Sequence, residues 1–223
     1  MFLIKVLVVV VVAALALWFI QNRRRRRALD KAAQSLGMSY EDKSDLDTSG
    51  QLSQLALFGG KEHESVSERM WKKTPNLEVN LFGYHYSHGG GDSSRVKHAV
   101  VVYRSEHLNF PKMEILPEYW CNEERVPEEL RIRLDIDAFN KHFYLKGNGS
   151  NEAEVRRIMT PELIEYLNDN RGVALEASGS VLTFYRSVAK ITPEITQGFI
   201  RQGKEILQLM IADEVLASEL LKD

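Results

Sequence analysis

The sequence predicts an α+β domain of antiparallel sheet and packed helices carried on an N-terminal transmembrane helix. Three observations predict it. The first twenty residues are almost wholly apolar and are followed by five arginines. The middle of the chain alternates apolar and polar residues with the period of a strand, between turn residues. The last third carries two Thr-Pro-Glu helix starts, the second leading into a long amphipathic stretch.

Residues 2–20 are apolar except for Lys5, and residues 6–20 contain no polar side chain. As a helix this stretch is about 28 Å long, close to the ~30 Å hydrocarbon core of a bilayer. Lys5 lies near one end, where its stem can carry the ammonium to the interface. Trp18 lies near the other, a usual place for an aromatic anchor. A cleaved signal peptide fits less well. The basic region is weak, and no small-x-small site follows Ile20. Gln21 and Asn22 lead instead into Arg23, Arg24, Arg25, Arg26 and Arg27. By the positive-inside rule these hold the following domain in the cytoplasm and leave the N-terminus outside, a single pass through a cell inner (plasma) membrane. They are also suited to anionic lipid headgroups, at roughly 1 kcal/mol per basic residue.

The formal charge of −2 divides unevenly. Lys5 and the five arginines carry +6 and no acid precedes residue 28, so residues 28–223 carry −8. An acidic domain without a basic stripe argues against nucleic acid as a partner. One cysteine, Cys121, rules out an intramolecular disulfide and suits a reducing compartment.

The expected organisation is an anchor with its arginine stop at 1–27, a helix and linker at 28–51, and a soluble α+β domain at 52–223. A division of that domain into two lobes near 147–152 stays open. Residues 27–36 favour helix, stopped by Gly37. Residues 41–50 are polar and turn-rich and read as a loop. Residues 52–58 suit a short strand or a helical turn. Strands are expected over 65–71, 76–86, 96–104, 111–117, 130–136 and 141–146. In the second of these Leu77, Val79 and Leu81 oppose Phe82, Tyr84 and Tyr86. In the third, Val96, His98, Val100 and Val102 oppose Ala99, Val101 and Tyr103. These two strands form a hairpin, with the tyrosines expected at the sheet's edge. A helix follows over 152–159, another from Pro161 to about Asn168, then a hairpin of 173–177 with 181–186. The C-terminal stretch from Pro193 reads as one long amphipathic helix, with a break near Gly203 left open.

Residues 84–95, YHYSHGGGDSSR, look most like a site. A phosphate loop needs a helix mouth and a Gly-Lys-Ser/Thr ending, and neither follows. His85, His88 and Asp92, with His98 nearby, offer metal-ligand types. Residues three apart on a strand face opposite ways, so only a bend after Tyr86 brings the two histidines together. A glycine-rich hairpin tip with solvated side chains is the simpler reading. Asp135 and Asp137 share a face of an expected strand and suit acid–base or cation chemistry, or merely solvent. Glu123, Glu124, Glu128 and Glu129 read as solvated charges around Pro127, and Cys121 as a small buried residue. His107 and His142 are isolated. No nucleophile elbow, zincin motif or dinucleotide fingerprint is present, so no catalytic residue and no cofactor is assigned.

Several segments together carry a resemblance: Leu36-Gly37, LFGYHY at 81–86, FPKMEILPE at 110–118, FNKHFYLKG at 139–147 and LEASGSVLTFYR at 175–186. In this order after an anchor, they resemble a family of bacterial single-pass membrane proteins of unknown function with a cytoplasmic α+β domain. The shared residues are aromatics, glycines and prolines of strands and turns, so the resemblance implies a fold and a location and brings no catalytic residues.

The functional expectation is a non-enzymatic interaction module at the cytoplasmic face of a bacterial membrane, bound to the bilayer through residues 2–20 and to a protein partner. Trp71, Tyr84, Tyr86 and Trp120 are the expected contact aromatics, provided they lie on the surface. The alternative is a metal-dependent or hydrolytic enzyme using the His85/His88/Asp92 region. A weaker idea is lipid binding through the arginines and the C-terminal helix.

Overall fold

The computed structural model describes residues 2–44, 50–59, 62–87, 95–120, 128–188, 191–211 and 213–221. A long helix α1 (Phe2–Ser35) leads into strand β1 (Ser39–Ser44). Strands β2 (Glu62–Lys73), β3 (Glu78–Ser87), β4 (Arg95–Arg104) and β5 (Phe110–Pro117) follow. Then come α2 (Asp137–His142), β6 (Phe143–Lys146), α3 (Glu152–Ile158) and α4 (Pro161–Asp169). The chain continues through β7 (Ala174–Gly179), β8 (Val181–Ser187), α5 (Pro193–Met210) and α6 (Glu214–Leu221). The strands form one antiparallel sheet in the order β1-β2-β3-β4-β8-β7-β5-β6. Strands from both sides of residues 147–152 therefore interleave: β7 pairs with β5 and β8 with β4. This is the α+β architecture expected, with its apolar N-terminal helix and its long C-terminal helix.

Strand alternation decides what each face buries. Leu77, Leu81, Val101, Tyr103, Leu175, Leu182 and Phe184 point to one face, which α1 and the helices after β5 cover. Phe82, Tyr84, Tyr86, Val100, Val102 and Tyr185 point to the other, where Leu52, Leu55, Leu57 and Phe58 pack on them. The helices cover one face, as the sequence implies. The second face is closed by residues 50–59, which take the helical-turn alternative with a short 3-10 turn over Gln51–Gln54. Central strands buried on both sides are why apolar residues occupy both parities in β3 and β4.

Four expectations are corrected. Residues 41–44 are not loop but the end of β1, an edge strand rich in charge. Its Glu41 accepts from Arg69 at 2.9 Å, and charged edge strands of this kind resist adventitious pairing. Residues 130–136 do not form a strand. Arg131 makes a single bridge to Lys146, and the Asn140 side chain then takes the Leu134 N–H at 3.1 Å, replacing a ladder partner. Tyr84 and Tyr86 lie on an interior strand, between β2 and β4, not at an edge. The C-terminal helix runs unbroken through Gly203 and stops at Ile211, which is extended. Gly203 is there for close approach: a Cβ would meet the Tyr103 hydroxyl at 2.7 Å and ring carbon Cε2 at 2.8 Å.

Local caps follow the sequence. Thr160 accepts the Leu163 N–H at 3.2 Å ahead of Pro161, the N-cap arrangement expected of Thr-Pro-Glu. Thr160→Ala is expected to lower stability by about 1 kcal/mol in urea unfolding, with the slope unchanged.

Candidate functional site

Two places have the makings of function: the junction where α1 enters the domain, and a cavity on the second face of the sheet. α1 is long and apolar enough near its N-terminus to cross a membrane. It continues without interruption into a segment packed on the sheet, where Leu29 and Ala33 are fully buried. Residues 25, 29 and 33 follow one another at four-residue spacing and share a face. The five arginines are therefore divided by helical geometry. Arg25 forms an ion pair with Glu68 and donates from Nη2 to the Ile191 carbonyl at 2.9 Å. Arg26 pairs with Asp42 at 2.7 Å. Arg23, Arg24 and Arg27 remain exposed, as does Trp18.

Glu68 reaches Arg25 through a local irregularity. The β2–β3 register shifts between Ser67 and Met70, and Glu68 has φ 56°, a conformation uncommon outside glycine. Arg25→Ala removes one partner of a mostly buried pair and is expected to cost roughly 2 kcal/mol. Arg23→Ala, made on the exposed face, is expected to change unfolding by less than about 0.5 kcal/mol. Urea titration of both variants in non-ionic micelles checks the pair.

The cavity encloses about 420 Å³. Its polar floor is built by strand register. Glu114 on β5 sits opposite Glu176 on β7 and opposite Lys146 on β6, so three ionisable groups lie side by side across the sheet. Lys146 donates to Glu114 at 2.8 Å. Glu176 accepts from the Tyr185 hydroxyl at 2.6 Å through Oε1 and from the Leu57 N–H at 3.1 Å through Oε2. Glu176 thus fastens residues 50–59 to the sheet. Burial, and then the neighbouring Glu114 charge, push its carboxyl up to about 7, against the lowering effect of those donors. The same burial and the two glutamates raise the Tyr185 phenol well above its usual range. Rings make the wall: Trp120 lies 5.4 Å from His98 and 5.9 Å from Tyr185, and His98 lies 5.7 Å from Tyr86, centroid to centroid.

The cavity runs along the sheet between two register rows: its floor, Glu176, Glu114 and Lys146, shares the row of Ser39, Trp71, Asn80, Val102 and Thr183. α1 turns through Gly37, at φ 64°, into β1, so the end of α1 lies where Ser39 faces Trp71. Moving back up α1, Arg26 meets Asp42 further along β1. The apolar part of α1 therefore leads toward the row Ser44, Val66, Tyr84, His98 and Ser187. His98 and Ser187 line the cavity, and Tyr86 and Val96 line it two pairs further out.

The residues singled out from sequence fall elsewhere. His85 lies on β3 with Nε2 3.1 Å from the Ser67 hydroxyl. His88, Asp92, Cys121, Glu123, Glu124 and Pro127 lie outside the described residues, so the expected metal group is not assembled from what is described. Among the described residues no three His, Cys, Asp or Glu side chains converge as a metal site. Asp135 and Asp137 are exposed, on an irregular segment and at the start of α2, not paired on a strand face. Of the expected contact aromatics, Tyr84 and Tyr86 are buried, at 0% and 7% exposure, and are corrected. Trp120 is half-buried, and Trp71 is 36% exposed beneath the Arg69 guanidinium. The cavity went unread although it left a signal. Glu114 stands between Met113 and Ile115, and Glu176 between Leu175 and Ala177, each a carboxylate flanked by apolar residues within a strand.

No family model matches the chain, and no curated protein matches it. A solved structure does: the crystal structure of the mycobacterial trehalose monomycolate transport factor A, TtfA. The two superpose with a TM-score of 0.56 at 13% sequence identity, over 85% of this chain and 97% of that one. At that identity the likeness is one of fold.

Proposed function

We propose that this protein is a non-enzymatic accessory module held at the cytoplasmic face of a bacterial inner membrane by a single-pass helix. In this reading residues 2–20 span the bilayer, residues 1–27 form the anchor with its arginine stop, and residues 52–223 form the working domain. The observation that carries it is α1 itself, one helix that is apolar at its start and buried against the sheet at Leu29 and Ala33. The arginines beside the apolar stretch support the orientation. The acidic domain favours a protein partner over nucleic acid. The fold shared with a trehalose monomycolate transport factor supports an accessory role in a membrane transport process.

Two measurements on the full chain in cells test this. Protease added to intact spheroplasts is expected to leave the domain whole and to digest it after lysis. In-cell crosslinking is expected to recover a membrane protein of a transport system. Digestion in intact spheroplasts overturns the orientation, and crosslinking that yields no membrane protein overturns the accessory role.

A further inference from the structure

The cavity above the Glu114–Glu176 pair has no part in anchoring the domain. Its volume, about 420 Å³, is that of a small-ligand site. One acceptor on its floor is left over. The Glu114 side chain is 9% exposed, and Lys146 donates to its Oε1 at 2.8 Å. Among the described residues nothing donates to its Oε2. Glu176 is differently placed, because the Tyr185 hydroxyl and the Leu57 N–H serve its two oxygens. A buried carboxylate with one oxygen unserved calls for an N–H or O–H from whatever fills the cavity. Charge narrows that donor. Two carboxylates, Glu114 and Glu176, face one ammonium, Lys146. With both glutamates ionised and His98 neutral, the floor is one positive charge short. An anion meets net repulsion there, and a cation supplies what is missing.

The walls suit a cation with a carbon body. The rings of Tyr86, His98, Tyr119, Trp120 and Tyr185 line the cavity. Trp120 and Tyr185 stand 5.9 Å apart with their planes tilted by 30°, close enough to form one surface. The faces of indole and phenol rings attract an ammonium, and their apolar area covers its stem. Tyr119, 73% exposed, stands at the margin, where the cavity meets solvent. We infer that this cavity binds a water-soluble primary amine, with its ammonium donating to Glu114 Oε2 and its carbon body lying on Trp120. A quaternary ammonium lacks the N–H that Oε2 requires and fits less well. The inference gives the domain a small-molecule ligand and does not rest on the anchored reading.

The test uses the full chain in non-ionic micelles at pH 8, with Trp18→Phe and Trp71→Phe leaving Trp120 as the reporting tryptophan. At that pH the Glu176 carboxyl, held up to about 7, is ionised. Phenethylamine, phenethyltrimethylammonium, 2-phenylethanol and 3-phenylpropionate are titrated separately while Trp120 emission is read. Phenethylamine is expected to give a saturable change. The alcohol and the quaternary amine are expected to bind at least about tenfold more weakly, and the carboxylate not at all. Glu114→Gln is expected to weaken the amine by at least about tenfold. Lys146→Met is expected to tighten it several-fold, because the amine then takes the place of the lost ammonium beside Glu114. Near-UV circular dichroism reads whether each variant keeps its packing. With Glu114 and Lys146 intact, no saturable amine response overturns the proposal, as does an alcohol or quaternary amine bound as tightly as the primary one. Weaker amine binding by folded Lys146→Met overturns it too. Spheroplast protection does not read the cavity, so failure here is distinguishable from failure of the anchored reading.

Discussion

Glu176→Gln is expected to flatten the pH dependence of stability between pH 5 and pH 8. The wild-type carboxyl is held up to about 7 in the fold, first by burial and then by Glu114, against an ordinary value of 4.5. A carboxyl raised on folding favours the protonated native state. Its stabilising contribution is complete below the unfolded value and is lost as pH rises through the folded one. Wild type is therefore expected to lose on the order of 3 kcal/mol from this group between about pH 4.5 and pH 7, and little more above that. The groups facing Glu176 are Glu114 on β5, Lys146 beyond it on β6, Tyr185 on β8, and the N–H groups of Ala56 and Leu57. Glutamine cannot ionise, and its amide must turn one N–H toward those donors. The variant is expected to be weaker than wild type at pH 5, by about 1–3 kcal/mol, and to approach or pass it at pH 8. Urea unfolding of both proteins across that range, in non-ionic micelles, reads the difference. Parallel pH profiles would show that Glu176 does not titrate there.

Gly203→Ala is expected to destabilise the fold by about 2 kcal/mol, although alanine is the better helix former by about 1 kcal/mol. The added Cβ meets Tyr103 Oη, Cε2 and Cζ at 2.7, 2.8 and 3.1 Å. Tyr103 cannot withdraw, because it is fully buried and its hydroxyl donates to the Ile200 carbonyl at 2.8 Å. At Gly198, one turn and a residue earlier on the same helix, a Cβ would meet no atom within 4 Å. Gly198→Ala is accordingly expected to gain up to about 1 kcal/mol. Two identical substitutions on one helix thus carry opposite signs, and their thermal midpoints should move in opposite directions. Gly203→Ala in a Tyr103→Phe background is expected to remain destabilised, since Cε2 and Cζ still stand in the way.

The parts of the fold legible in sequence are those set by local chemistry. Alternation in residues 76–86 and 96–104 assigned the two faces of β3 and β4, and the register Leu81 to Val101 and Phe82 to Val100 keeps those assignments. Thr160-Pro161-Glu162 marked the start of α4 because its cap is made within four residues. What stayed hidden depends on distant partners. β1 is a polar edge strand whose order comes from β2, and nothing in its own composition announces that. Glu68 owes its conformation to a register shift that only the β2–β3 pairing defines. The cavity depends on β5 lying between β6 and β7, a neighbourhood that the order of strands along the chain does not reveal. Glu114 and Glu176 each read as ordinary strand residues until that order sets them opposite one another.

The direct passage of α1 from its apolar stretch into the sheet has a mechanical consequence. With Arg25 fixed to Glu68 and Leu29 and Ala33 buried, no swivel lies between helix and domain. The pair behaves as a lever. A membrane-spanning helix accommodates a thinner bilayer by leaning, and tilts of roughly 20° are ordinary. At about 1.5 Å per residue, such a lean displaces the far end of α1 by many ångströms and turns the whole sheet with it. Where the apolar stretch of α1 spans a bilayer, the tilt of the domain follows the thickness of that bilayer.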